Sequence, residues 1–217
     1  MKNSASAAQQ SDHSQQADQE KLTALRHTTE HVLTQAMHNL YGQDQVIMAM
    51  GPATEDGFYF DFDSPAQFKL AENDFPKIEK EMQRLIKLDL PVSREEISKD
   101  QARKLFKNNP YKQEWLDELE EDKVVIYHTG NPQAKDSKNY FVDLCSGPHV
   151  SSTGKIKAFK LLSIAGAYWR GDENNQMLTR VYGTAFASKK ALKDYLWQLE
   201  QAEQRNHRRI GKELGLF

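Results

Sequence analysis

The fold class that the sequence predicts is α+β, with a mainly antiparallel sheet, packed helices and a long C-terminal helix. Segments with helical apolar spacing and segments rich in alternating aromatic residues both occur, without the regular strand-helix-strand order of a parallel sheet. Gly57–Phe62 is the clearest strand, because alternation places Phe58, Phe60 and Phe62 on one face. Ser188 is typical of the N-cap of the last helix.

Local stop and start signals define the elements between these landmarks. Gly42 follows the first helix where a C-terminal glycine is favoured, and Ser98 with Gln101 forms a capping box. The predicted helices are about 20–41, Phe75–Leu88, Ser98 to about 107, Pro110–Leu119 and Ser188 onward. The predicted strands are Val46–Met50, Gly57–Phe62, Pro91–Ile97, Val124–His128, Tyr140–Leu144, Phe159–Ala167 and Met177–Thr184.

Composition limits the classes of function. The 217 residues suit one or two domains, and 38% hydrophobic residues suffice for a packed core. The sequence contains no apolar run long enough to span a membrane, and its polar opening lacks the core of a secretory signal, so we expect a cytoplasmic protein. Residues 1–19 are rich in Ser, Ala, Gln and Asp without apolar periodicity and are predicted to be a disordered leader.

Two pairs of chemically active side chains share the same spacing. His27 and His31 lie four residues apart in a predicted helix and therefore share a face. Cys145, the only cysteine, and His149 are also four apart, in a turn after a strand. Together they suit either a tetrahedral zinc site or a metal-free pocket in which imidazoles move protons and orient water. Nucleophilic attack by Cys145 is a weaker alternative, because no local nucleophile motif supports it.

Asp143 is a further candidate for the same site, because it shares a strand face with Cys145, where it suits orienting a histidine or holding a ligand amine. The alternative is an exposed carboxylate. Lys112 lies in the first turn of a predicted helix, where its charge opposes the helix dipole, and by residue type alone it is a surface charge.

The ordered motifs resemble the second N-terminal domain of bacterial threonyl-tRNA synthetase, from about residue 22 to the end of the chain. The matching motifs are His27-x-x-x-His31, Gly51-Pro-Ala-Thr-Glu-Asp-Gly-Phe-Tyr-Phe-Asp-Phe62, Asp143-Leu-Cys-Ser-Gly-Pro-His149, Gly166-Ala-Tyr-Trp-Arg-Gly171 and Arg180-Val-Tyr-Gly-Thr184. The last residues, 206–217, look like the linker to that family's class II catalytic core. The resemblance implies a tRNA editing domain at 20–186 and a linker helix at 187–217.

The resemblance also implies an activity, which is hydrolysis of serine wrongly esterified to threonine tRNA. The implied pocket residues are His27, His31, Lys112, Asp143, Cys145 and His149, with Asp143 binding the substrate. Tyr59 and Phe60, on the neighbouring strand, suit either a wall of this pocket or packing in the core. Related alanyl-tRNA editing proteins use the same four-ligand pattern with zinc, whereas the threonyl domain is regarded as metal-free. We therefore expect no required cofactor, with zinc at His27, His31, Cys145 and His149 as the alternative.

Departures from the family pattern define the expected partners. No small ubiquitin-like domain precedes the matched region and no ATP-binding core follows Phe217, so we expect no aminoacylation by this chain alone. The expected partners are the acceptor end of tRNA(Thr) carrying serine and a synthetase core in cis or in trans, with no membrane. Two rival readings are a zinc-bound structural module and a tRNA-binding appendage without hydrolytic activity.

Overall fold

The fold consists of five helices and two antiparallel sheets among the residues described. The computed structural model of the chain describes residues 3–64, 68–134 and 137–205. The helices are α1 (Asn3–Tyr41), α2 (Phe75–Lys87), α3 (Lys99–Leu105), α4 (Pro110–Glu118) and α5 (Lys189–Gln204). The strands are β1 (Ile47–Met50), β2 (Phe58–Asp63), β3 (Val92–Ser98), β4 (Lys123–Thr129), β5 (Phe141–Leu144), β6 (Ala158–Tyr168) and β7 (Met177–Phe186). The predicted α+β class is confirmed.

The strands form one sheet of order β1-β2-β7-β6 and a second of order β3-β4-β5. All paired strands are antiparallel. Strands β6 and β7 form a hairpin, whose closing pair is Tyr168 and Met177. None of the helices in the described part of the chain is long and apolar enough to cross a membrane.

The main core lies between the four-stranded sheet and the helices α1 and α2. Alternation along β2 buries Phe58, Phe60 and Phe62, as the sequence predicted. These rings meet apolar side chains from α1, including Leu33, and from α2, including Leu85. The core therefore fixes α1 against the sheet along the stretch of α1 that carries the two histidines.

Several predicted end signals are confirmed at atomic detail. Gly42 follows α1 with a φ of 89°, a backbone conformation that glycine adopts without strain. The Ser98 hydroxyl accepts a hydrogen bond from the Gln101 N–H, and the Gln101 side chain accepts one from the Ser98 N–H. The Ser188 hydroxyl accepts from the Ala191 N–H at the start of α5.

The predicted start of the first helix was wrong. Helix α1 begins at Asn3, so residues 3–19 are helical and not the disordered leader that the sequence predicted. The leader lacks apolar periodicity, but its alanines and glutamines favour helix, and extending an existing helix needs no new nucleus. The predicted division at 20–186 and 187–217 stays a prediction, and the linker-like residues 206–217 lie outside the described residues.

A matched pair of leucines tests the placement of the core. Leu85 is 0% exposed in α2, whereas Leu88, just beyond the end of the helix, is 45% exposed. We predict that Leu85→Ala lowers the free energy of unfolding by about 2–5 kcal/mol, because it removes packed atoms and leaves a cavity. Leu88→Ala should change it by less than about 0.5 kcal/mol. Urea unfolding measures both, and equal losses would contradict the placement.

Candidate functional site

Helix α1 presents two imidazoles on the face turned toward the second sheet. His27 and His31 are four residues apart, and their rings meet edge to face with centroids 5.3 Å apart. His31 is 1% exposed, whereas His27 is partly exposed. Within the described part of the chain, neither ring nitrogen of His31 has a hydrogen-bond partner. One histidine is therefore available at a surface and the other lies behind it.

The turn after β5 closes on these imidazoles. Cys145 Sγ lies 3.2 Å from His27 Nε2 and 3.2 Å from His149 Nε2. The His149 ring centroid is 4.2 Å from that of His31 and 4.3 Å from that of His27. The two sequence pairs of equal spacing thus form one cluster, as the sequence predicted.

Gly147 holds the turn tightly against the sheet. Its φ is 78°, and a Cβ at this position would lie 2.6 Å from the Tyr127 hydroxyl oxygen. The Tyr127 ring in turn packs on His149, with centroids 4.3 Å apart. The Gly147 N–H donates to Cys145 Sγ at 3.2 Å. The glycine is therefore required by the close approach of Tyr127.

A buried ion pair stands beside the cluster. Lys112 Nζ lies 2.9 Å from Asp143 Oδ1 and 3.1 Å from Oδ2, and the two residues are 5% and 4% exposed. Asn109 caps α4 by accepting a hydrogen bond from the Lys112 N–H, which fixes the backbone that carries the lysine. The structure therefore brings Lys112 to the site, although it is far from Asp143 in sequence.

Burial keeps the cluster in its neutral forms. Burial lowers the pKa of His149 to about 3, with a further contribution from His27. The pKa of His31 lies well below its ordinary value and that of His27 is also lowered, in both cases chiefly because of burial. Burial raises the pKa of the Cys145 thiol to about 12. At neutral pH the site therefore holds neutral imidazoles and a thiol, which argues against Cys145 as a thiolate nucleophile.

Glu30 is a buried acid that sequence reasoning missed. Its Oε1 accepts a hydrogen bond from the Thr34 hydroxyl at 2.7 Å, and burial raises its pKa well above the ordinary value. Its Oε2 lies 3.9 Å from His31 Nε2. Burial shifts the pKa of Glu30 upward and that of His31 downward, which favours the neutral form of both groups over an ion pair. A carboxylate within the motif His27-Thr-Thr-Glu-His31 was the available signal.

A cavity of about 510 Å³ opens onto part of this cluster. Its polar wall includes His27, Lys112, Asp143 and Cys145. Its apolar wall includes Met48, Met50, Trp115, Leu119 and Val125. His31 and His149 do not line the cavity, but their rings pack against His27, which does. One cavity is therefore lined by a partly exposed imidazole, a thiol, a charge pair and several apolar side chains.

Tyr59 is not among the residues that line this cavity, and its predicted role in substrate binding stays a prediction. It faces away from the core as alternation along β2 requires, and its hydroxyl contacts Met50 Sδ at 3.6 Å. The Arg180 guanidinium lies 3.9 Å from the centroid of the Tyr59 ring. Phe60 is fully buried in the core and is not a wall residue either. Tyr59 thus borders the cavity through Met50 and through Pro52, whose carbonyl oxygen accepts a hydrogen bond from the Tyr59 N–H at 3.3 Å.

The four-residue cluster has a donor set that fits zinc. One ligand atom from each of His27, His31, Cys145 and His149 can be chosen so that all four lie within 4.8 Å of one another. Tetrahedral zinc bonds of about 2.0–2.3 Å would bring such atoms to roughly 3.5 Å apart, a small contraction. The unpaired ring nitrogens of His31 offer a lone pair that no described group uses.

Comparisons with known proteins place this geometry in a family context. The family described as the threonyl and alanyl tRNA synthetase second additional domain matches residues 124–182, which include Asp143, Cys145 and His149. The chain is 54% identical to the threonine–tRNA ligase of Thermotoga petrophila over 200 residues, 92% of the chain and 30% of the relative.

Two further threonine–tRNA ligases show the same extent of similarity. The relative from Thermotoga maritima is 52% identical over 92% of the chain and 30% of its own length. That from Streptococcus mutans is 47% identical over 92% of the chain and 29% of its own length. The chain thus spans about three tenths of the length of these curated relatives.

The buried ion pair gives a stability prediction. Lys112→Met leaves the Asp143 carboxylate buried without its partner, and we expect a loss of about 3–5 kcal/mol in the free energy of unfolding. The double variant Lys112→Met, Asp143→Leu should recover most of that loss, because no unpaired charge remains.

The exposed pair between Lys123 and Glu96, 3.1 Å apart, provides the control for this prediction. Lys123→Met should cost less than about 1 kcal/mol, because water screens that pair. Urea unfolding at neutral pH measures all three variants. Equal losses for Lys112→Met and Lys123→Met would contradict the burial of the charge pair.

Proposed function

We propose that the chain is an editing hydrolase, because residues 124–182 match the family described as the threonyl and alanyl tRNA synthetase second additional domain. Its proposed substrate is tRNA(Thr) wrongly esterified with serine, and its products are free serine and tRNA(Thr). The observation that carries the proposal is the cavity wall, which contains the neutral imidazole of His27 and the Lys112–Asp143 charge pair.

The choice of serine follows from the names of the relatives and from the physics of selection. They are ligases for threonine and tRNA, and serine is threonine without one methyl group. A synthetic site discriminates one such group by only about 1–3 kcal/mol, so errors must be removed at a second site. A cavity that accepts serine and excludes the extra methyl of threonine would provide that site.

The proposed reaction is attack of water on the ester carbonyl carbon. His27, which lies on the wall and is neutral at pH 7, accepts a proton from the water as it attacks. The developing oxyanion lies near the Lys112 ammonium, which lowers the energy of the transition state. The carbon–oxygen bond to the ribose then breaks, and the ribose oxygen takes up the proton. The products are free serine and tRNA(Thr) with a free ribose hydroxyl group.

The other wall residues orient the substrate and the water. Asp143 is the proposed ligand of the serine ammonium or hydroxyl group, since it is the carboxylate on the wall beside Cys145. Cys145, as a neutral thiol, contacts His27 and limits the space for the amino-acid side chain. His31 and His149 support the wall from behind.

The proposed place for the terminal base lies beside the cavity. Tyr59, Arg180 and Tyr182 lie on the sheet face away from the core, and Tyr182 is 36% exposed. Aromatic rings and guanidinium groups on an exposed sheet are typical platforms for unpaired bases. Tyr59 contacts Met50, which lines the cavity, so a stacked terminal base would place its ester at the entrance. Tyr59 thereby keeps a proposed role in substrate binding.

The proposal includes partners and a compartment. The acceptor end of tRNA(Thr) would be delivered by a threonyl-tRNA synthetase core, in cis or in trans, in the cytoplasm. Metal is not required in this proposal.

Parallel deacylation of two substrates tests the proposed function. We predict that the chain hydrolyses seryl-tRNA(Thr) roughly 10- to 200-fold faster than threonyl-tRNA(Thr), the selectivity that one methyl group allows. His27→Ala should lower the rate with seryl-tRNA(Thr) by about 10²- to 10⁴-fold, because the proton acceptor is lost. Release of labelled amino acid measures these rates.

His38 is the matched control for this test. It is a half-buried histidine of the same helix whose Nε2 contacts the Val46 carbonyl oxygen, and it is not on the wall of the cavity. His38→Ala should keep the rate if the variant remains folded. Equal rates on both substrates, or no hydrolysis of the serine ester, would refute the proposal.

A zinc-bound module without hydrolytic activity is the second candidate, and the compact His27, His31, Cys145 and His149 donor set favours it. Bound zinc would hold the two halves of the site together, because four protein ligands fill its tetrahedral coordination. This candidate predicts about one tightly bound zinc per chain and unfolding by a chelator. The proposed hydrolase predicts an unchanged deacylation rate after chelation. Metal analysis, circular dichroism and the rate after chelation separate them.

A further inference from the structure

Thr28 links the helix of the site to the turn of the site through one buried hydroxyl group. It lies between His27 and His31, and it is fully buried. Its Oγ1 lies 2.9 Å from the Ala24 carbonyl oxygen, 3.1 Å from His149 Nδ1 and 3.1 Å from the Val150 nitrogen. No other hydroxyl group in the described part of the chain forms a hydrogen bond with a side chain of the four-residue cluster.

Counting donors determines which way these bonds run. A hydroxyl group has one proton to donate and two lone pairs to accept with. The Val150 N–H can only donate, so it uses one lone pair of Thr28. The Ala24 carbonyl oxygen can only accept, and at 2.9 Å it needs the Thr28 proton between the two oxygens. The remaining Thr28 lone pair faces His149 Nδ1.

His149 must therefore carry its proton on Nδ1. The opposite arrangement, with Thr28 donating to His149, would leave two oxygen acceptors facing each other at 2.9 Å in a buried place. Such an uncompensated contact is costly in the protein interior. With Nδ1 protonated, all three contacts of Thr28 are satisfied at once.

This tautomer leaves the other ring nitrogen of His149 with a free lone pair. His149 Nε2 lies 3.2 Å from Cys145 Sγ, so it can accept the thiol proton. The pKa of the thiol, raised to about 12, agrees with a proton on the sulfur at neutral pH. The sulfur is then held between His149, His27 and the Gly147 N–H, at the cavity wall.

We propose that Thr28 is a positioning residue that fixes the tautomer and ring orientation of His149 and, through it, the place of the Cys145 side chain. This inference rests on the proposed hydrolytic function for its kinetic consequence, but the tautomer itself does not depend on that function. Groups that hold the second nitrogen of a functional histidine generally act in this way.

Thr29 provides a matched control on the same helix. It is also fully buried, and its hydroxyl donates to the Leu25 carbonyl oxygen at 2.8 Å, which is the same kind of local bond. It has no hydrogen bond to His149. Thr28→Val and Thr29→Val thus each remove one buried hydroxyl group, but only the first touches the site.

The test combines nitrogen-15 spectroscopy of the histidine rings with deacylation kinetics on the full chain. In the native chain we expect the His149 signals of a protonated Nδ1 and an unprotonated Nε2, assigned by the loss of signals in His149→Asn. Thr28→Val should mix the two tautomers and lower kcat for seryl-tRNA(Thr) by roughly 10- to 100-fold with KM unchanged. Thr28→Ser should restore both, and Thr29→Val should change neither.

Each outcome bears on one claim only. A protonated Nε2 on His149 in the native chain, or an unchanged tautomer in Thr28→Val, would overturn the role of Thr28. If the native chain does not hydrolyse seryl-tRNA(Thr), the proposed function fails, and the ring signals still decide the role of Thr28. If Thr28→Val does not fold, Thr28→Ser and the native ring signals decide it, because a protonated Nε2 in either would refute the inference.

Discussion

The structure of the site depends on the buried ion pair between Lys112 and Asp143. Removing two charges from water is expensive, so the pair persists only because the two partners lie within 3.1 Å and compensate each other. The pair joins the helix α4 to the strand β5. Asp143 also lines a second cavity of about 740 Å³, so its side chain borders both cavities, whereas Lys112 lines only the first. Without Asp143, burial of the Lys112 ammonium group would carry a desolvation cost that nothing compensates.

The same burial that makes the pair costly determines the chemistry of its neighbours. Burial lowers the pKa of His149 and His31 and raises that of Cys145 and Glu30. Around one charge pair, the protein therefore arranges neutral donors and acceptors. Such an environment suits proton transfer to and from water better than attack by a thiolate. It also suits zinc, whose ligands are neutral imidazoles and a thiolate, and whose binding would expel the thiol proton.

Local sequence signals predicted much of the fold, because the physics that produces them is local. The capping box at Ser98, the glycine at Gly42 and the four-residue spacing of His27 and His31 each depend on neighbours in one helix or turn. Long-range contacts were harder to predict. Lys112 was found through a family resemblance, because nothing in α4 alone shows that it reaches β5. Thr28 and Glu30 were overlooked because their roles depend on the folded chain. Thr28 contacts His149, which is distant in sequence, and Glu30 is buried beside His31. The start of α1 at Asn3 was missed because polar residues gave no periodicity, although their helix propensity was sufficient.

The central claim is that the cavity beside Lys112 and Asp143 receives the aminoacylated end of a tRNA. A crystal structure of the chain with a non-hydrolysable seryl-adenosine analogue, in which an amide replaces the ester, tests it most directly. The account predicts the serine ammonium or hydroxyl group at Asp143, the carbonyl oxygen toward Lys112 and the carbonyl carbon within reach of a water at His27. Binding of the analogue elsewhere, with this cavity unchanged, would contradict the account.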